Sequence, residues 1–217
     1  MAVTLLALLA LFNQCDGVEV IGPEETAEKI SRIICAKKQS LDAIFETKSR
    51  VRVRICGDME CWRRGSGRPW YIVAALVGEE EILTQPGRSL EKVDDLGGVL
   101  AHELVHLLIR KTAGRNCPRW LDEGLAQWLS GQKSPAESSR PGNRKELAAL
   151  EQRLKSSRTT RDQLERDYGA CRLLVKQLVE RVGAKVLVRS LAGLKKIPDP
   201  LDLPVEANSL GSLLFPG

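Results

Sequence analysis

The sequence predicts an α+β domain, with a small, mostly antiparallel sheet in the N-terminal half and helices in the C-terminal half. Three patterns carry that expectation. Arg50-Val51-Arg52-Val53-Arg54-Ile55 alternates strictly between basic and apolar residues, the period of a half-buried strand. Pro69 to Val77 is a largely apolar strand candidate ended by Gly78, and Glu80 to Thr84 suits an antiparallel return. From Asp94 onward, apolar residues recur at three- and four-residue spacings, the period of amphipathic helices.

Bulk properties narrow the class. A chain of 217 residues can bury one well-formed core. With 43% hydrophobic and 28% charged residues it reads as globular. The 33 basic against 28 acidic residues leave a net charge of +5, a mild excess that a solvated surface accounts for. No nucleic-acid-binding signature is present, and no stable membrane span is expected. Nothing in the pattern fixes an oligomeric state.

Residues 1–17 stand apart. Leu5 to Phe12 is an apolar run too short to cross a bilayer, and it resembles the core of a secretory signal. Cys15 and Gly17 suit positions −3 and −1 of a cleavage site, although no Lys or Arg precedes the run. The expectation is therefore a signal segment over 1–17 and a single domain over 18–217, in a protein that is secreted or held in the periplasm or cell envelope. Removing Cys15 leaves five cysteines, so at least one is free or bonded to another chain. Cys56 and Cys61, flanking a turn at Gly57-Asp58, are the first candidates for a disulfide.

Along the chain, Pro23 to Phe45 reads as a helix with Ile30, Ile33, Ile34, Leu41, Ile44 and Phe45 as its buried stripe. The arginines of the 50–55 strand either meet an anionic substrate or keep a strand edge from aggregating. Pro86-Gly87 marks a turn. Asp94 or Asp95 starts the next helix and Gly114 stops it. Pro118 suits the first turn of a further helix through Leu129. Gly131 to Asn143 reads as an exposed loop, and Lys145 to Lys155 as a short amphipathic helix. Thr160 with Gln163 forms a capping box for a long helix ending near Gly183. After Leu194 the prolines at 198, 200 and 204 break regular structure, and the tail lies over the helices.

The chemistry concentrates in Ala101-His102-Glu103-Leu104-Val105-His106, which holds both histidines of the chain. Residues four apart share a helix face, so His102 and His106 can reach one metal ion. Zinc suits such imidazole nitrogens, and Glu103, one position round, can aim its carboxylate at a water instead of the metal. A catalytic zinc takes a third protein ligand and keeps one position open. Glu123 is best placed for that role, on the helix that follows after a short turn. Asp122 beside it can orient a ligating histidine through its second ring nitrogen. Both acids also suit the first turn of a helix, where the macrodipole favours negative charge.

His102-Glu103-Leu104-Val105-His106, followed by Trp120-Leu121-Asp122-Glu123-Gly124-Leu125-Ala126, resembles the gluzincin zinc metallopeptidases, in particular the small peptidase-MA-like domains with a second motif Trp-Leu-x-Glu-Gly-x-Ala. The resemblance implies zinc held by His102, His106 and Glu123, with Glu103 as general base. It also implies a thermolysin-like minimal layout, a small sheet packed on the zinc-binding helix with a helical C-terminal part. Weaker similarity continues through Asp167-Tyr168-Gly169, and it points to Tyr168 as donor to the oxyanion formed when water attacks a carbonyl. Tyr168 also fits a core face with Leu164, Cys171 and Val175.

The function expected is that of an exported zinc-dependent peptidase acting on a peptide or protein substrate that pairs with an edge strand near Trp70 to Leu76. Three alternatives accompany it. One is a non-catalytic, zinc-stabilised binding module in which a side chain such as Cys117 fills the fourth position. Another is a zinc hydrolase of non-peptide substrates. The third is an anion-binding surface on the arginine strand.

Overall fold

The structure is a computed structural model that describes residues 9–12, 15–132, 138–156 and 160–196. Strands β1 (Leu9–Phe12) and β2 (Val18–Pro23) lead into the long helix α1 (Glu24–Phe45). Then come β3 (Val51–Ile55), α2 (Met59–Ser66), β4 (Ala74–Val77), β5 (Glu81–Thr84) and the single turn α3 (Gly87–Leu90). The rest is helical: α4 (Leu96–Ala113), α5 (Arg119–Ser130), α6 (Arg144–Lys155), α7 (Arg161–Val182) and α8 (Ala184–Ser190). Short 3-10 turns lie at Gly114–Asn116 and Leu191–Lys196.

The α+β class holds, but the sheet is mixed and not mostly antiparallel. Its order is β1-β2-β3-β5-β4. The outer pairs β1–β2 and β4–β5 are antiparallel, whereas the central pairs β2–β3 and β3–β5 are parallel. A parallel pair needs a long crossover, and α1 supplies it between β2 and β3. In register, Val20, Val53 and Ile82 line one face and all are fully buried. The opposite face carries the arginines of β3. Arg52 Nε meets Glu19 Oε2 at 2.7 Å, and Arg54 Nη2 meets Glu81 Oε1 at 2.7 Å. These arginines are thus engaged by acids of the neighbouring strands, which weakens the anion-binding alternative.

One hydrophobic cluster runs from Val18 to Leu191, with α1 and α4 between the sheet and the C-terminal helices. Leu100, Leu104, Leu107 and Leu108 of α4 are fully buried, each stabilising the fold by about 1.5–3 kcal/mol through removal of apolar area from water. A second, smaller cluster of Cys56, Trp62, Ala75 and Leu83 fixes α2 on β4 and β5. No helix among the described residues is long and apolar enough to cross a membrane.

Cys56 and Cys61 are disulfide-bonded as expected, across the Asp58 cap of α2 instead of a plain turn. Cys15 bonds Cys35, while Cys117 and Cys171 are free. Of the segment expected to be a leader, residues 1–8 and 13–14 lie outside the described residues. Residues 9–12 form β1, and Cys15 is tied to α1. The proline-containing tail after residue 196 also lies outside, as do residues 133–137 of the expected loop.

A candidate metal centre between two helices

The Asp95 side chain accepts from Gly98 N at 2.7 Å and opens α4, and Gly114, at φ 64°, ends it. Between these limits the helix is apolar on nearly all sides, so His102 and His106 are held in a buried setting one turn apart. Helix α5 packs against α4 and begins where the Glu151 carboxylate accepts from Arg119 N and Trp120 N, at 3.0 Å each. Two of the four amides that a helix start leaves open are thereby satisfied from α6. That cap fixes the level at which Asp122 and Glu123 meet α4.

His102, His106 and Glu123 form a group that could hold a metal ion. His102 Nε2 and His106 Nε2 are 3.0 Å apart, and each lies 3.4 Å from Glu123 Oε2. Glu123 is 2% exposed, and its Oε2 has no hydrogen-bond donor. Its other oxygen accepts from Arg119 Nη2 at 2.6 Å. His106 Nδ1 donates to Asp122 Oδ1 at 2.7 Å, since a carboxylate can only accept, and this turns the Nε2 lone pair toward the group. The adjacent acids thus divide the work, Asp122 orienting a histidine and Glu123 joining it. His102 Nδ1 is buried without a partner.

Burial disfavours charge on His106, but Asp122 and Glu123 outweigh it and raise its pKa well above the ordinary value. Burial likewise opposes ionisation of Glu123, yet His106, His102 and Arg119 together lower its pKa well below the ordinary range. Without a metal, the converging lone pairs therefore favour a proton among them.

Glu103 is not a member of that trio. Its Oε2 accepts from the backbone N–H of Leu76 at 2.7 Å, which places the base candidate against the outer edge of β4. Tyr168, on α7, sits with its ring centroid 6.0 Å from that of His102. Its phenol pKa is raised well above the ordinary value by burial and by the charges of Glu123 and Glu103. Gly124 brings α7 this close, because a Cβ there would lie 2.5 Å from the Cys171 carbonyl oxygen. All five expected residues, His102, Glu103, His106, Glu123 and Tyr168, line one cavity of about 570 Å³, together with β4. Cys117 is not a member of the metal-ligand group.

No family model matches the chain, and comparison with curated proteins returns no match. The centre is therefore read from its own geometry. Sequence reasoning missed Arg119, which bonds Asp122 at 2.9 Å as well as Glu123. Its spacing three and four residues before the two acids on one helix was the available signal. It also missed Glu151 as the cap of α5 and the Leu76 amide. A main-chain group carries no residue signature, so nothing in the sequence could have marked the latter.

Proposed function

We propose that this chain is an exported zinc-dependent peptidase of the gluzincin type. The observation that carries the reading is the convergence of two imidazole nitrogens and an otherwise unpartnered carboxylate oxygen on one point beside a substrate-sized cavity. The donor set fits zinc: bonds of about 2.0–2.2 Å at tetrahedral angles put ligand atoms about 3.3–3.6 Å apart. The separations here are 3.0, 3.4 and 3.4 Å. No fourth side-chain ligand joins the group among the described residues, a feature of catalytic rather than structural zinc sites. When bound, zinc would polarise a carbonyl and lower the pKa of water.

The chain's own groups supply the rest. Glu103 accepts the proton of the attacking water on the oxygen not engaged by Leu76 and passes it to the leaving amine. Tyr168, kept neutral by its raised pKa, donates a hydrogen bond to the oxyanion. Asp122 holds the tautomer and orientation of His106, and Arg119 holds Asp122 and Glu123 in place. The outward-facing edge of β4 offers backbone groups for an extended peptide. The Cys56–Cys61 disulfide, which lies outside the expected leader, supports export, since such bonds persist in oxidising compartments.

The test is Glu103→Gln. It should retain one zinc per chain and lose hydrolysis of a casein-type substrate. Parental turnover in that variant would remove Glu103 from the base role. Zinc binding without turnover of any peptide by the parent would favour a zinc-stabilised binding module.

A further inference from the structure

Four arginines, Arg63, Arg68, Arg110 and Arg119, line the cavity against two acids, Glu103 and Glu123, which the centre already uses. Three of these arginines have partners. Arg119 holds Asp122 and Glu123, Arg63 pairs with Glu60, and Arg110 donates to the Gly78 carbonyl. The Arg68 guanidinium has no acid or carbonyl partner among the described residues, although its backbone is fixed. Arg68 N donates to Ser66 Oγ at 3.1 Å, and Ile72 N donates to Pro69 O at 3.1 Å. Gln85 Nε2 ties down the carbonyls of Trp70 and Ile72 at 2.6 and 2.8 Å.

A braced loop thus enters β4 and presents two side chains at the cleft, Arg68 and Tyr71, with Tyr71 edge-on to the exposed Trp70 at a centroid distance of 6.0 Å. Arg68 and Tyr168 line the same cavity. With the other three arginines engaged, Arg68 is the cavity-lining guanidinium left to meet an anionic ligand. A guanidinium held on a fixed backbone matches the two oxygens of a carboxylate. A peptide paired with β4 would carry its residues flanking the scissile bond past this loop.

We propose that the cleft selects peptides carrying a carboxylate on the side of the scissile bond that reaches residues 67–73, with Arg68 as its receptor. The proposal rests on the peptidase reading. An acidic side chain and a free C-terminus present the same group, and they are separable by experiment. Dye-labelled octapeptides in matched pairs, Glu against Gln at one position or free acid against amide at the C-terminus, are titrated by anisotropy into full-length Glu103→Gln chain loaded with zinc. Turnover of the same peptides is measured with the parent.

In one of the two pairs the acid should bind about fivefold more tightly, the ceiling for a solvent-exposed ion pair. The pair that responds identifies the source of the carboxylate. Adding Arg68→Gln should bring the ratio to one, and Arg68→Lys should keep part of it, with zinc content unchanged in both. Equal binding within both pairs, or a ratio that survives Arg68→Gln, would overturn the assignment. An acid preference without turnover by the parent would uphold the carboxylate site and sink the peptidase reading.

Discussion

Gly124→Ala tests how the two C-terminal helices place the candidate oxyanion donor. The added Cβ would stand 2.5 Å from the Cys171 carbonyl oxygen and 2.5 Å from Val175 Cγ2. Ordinary contact begins near 3.4 Å, so α7 would have to retreat by about 0.9 Å. Valine can rotate away, but the carbonyl is part of the α7 backbone and cannot. Overpacking costs about 1–3 kcal/mol, and a backbone obstacle belongs at the upper end. Alanine returns about 1 kcal/mol of helix propensity, leaving a net loss of about 2 kcal/mol. For a chain of this size that lowers Tm by about 4–8 °C, read by calorimetry on the zinc-free protein. Gly97→Ala is the control: nothing lies nearer its added Cβ than 3.8 Å, and it should gain up to about 1 kcal/mol. If Gly124→Ala melted at or above the parent, the close approach of α5 and α7 would be wrong. The placement of Tyr168 would then lose its structural basis.

Two further outcomes follow from the centre. Tyr168→Phe should retain zinc and lower kcat by about 100-fold with little change in KM, as expected for removal of one oxyanion donor. A rise in KM with kcat intact would instead mark a wall of the binding cleft. In the metal-free chain, the raised pKa of His106 contributes stability that is complete below its ordinary value of 6.5 and lost as pH rises through the folded-state value. The lowered pKa of Glu123 contributes stability present above 4.5 and lost as pH falls through its folded-state value. Thermal melts of the chelator-treated protein should therefore decline on the alkaline side of neutrality. A metal-free Tm that rises steadily from pH 6 to 9 would contradict the described contacts of His106 with Asp122 and Glu123.

The sequence made some of this legible and hid the rest for physical reasons. The helices of the centre announced themselves because their apolar period is long and their ends carry Asp95, Gly114 and Pro118. The Thr160 cap was also readable, although Gln163 does not complete a box. Its amide donates to Asp167 Oδ1 instead, at 2.9 Å. Strand β2 was hidden beside the apolar run of residues 5–12, and without it the crossover through α1 could not be seen. The visible pattern is therefore only the antiparallel return at 80–84, which predicts a mostly antiparallel sheet. Gly57-Asp58 looked like a turn, yet Asp58 accepts from Cys61 N and starts a helix that the burial of Trp62 anchors. The expected strand at 69–77 shrank to four residues because Gln85, not a strand ladder, takes the carbonyls of Trp70 and Ile72. The candidate metal ligands were visible as residue types at fixed spacings. The groups that hold them, Arg119 and Glu151, come from pairings that spacing suggests weakly or not at all.

The bond from Leu76 N to Glu103 ties the candidate base to the main chain of β4 and to none of its side chains. Every amino acid except proline offers the same amide at that position. The strand can therefore exchange its outward side chains over generations, altering which ligands fit, without dislodging the carboxylate. What the cleft recognises and where the candidate base is held are separated by one hydrogen atom on the backbone.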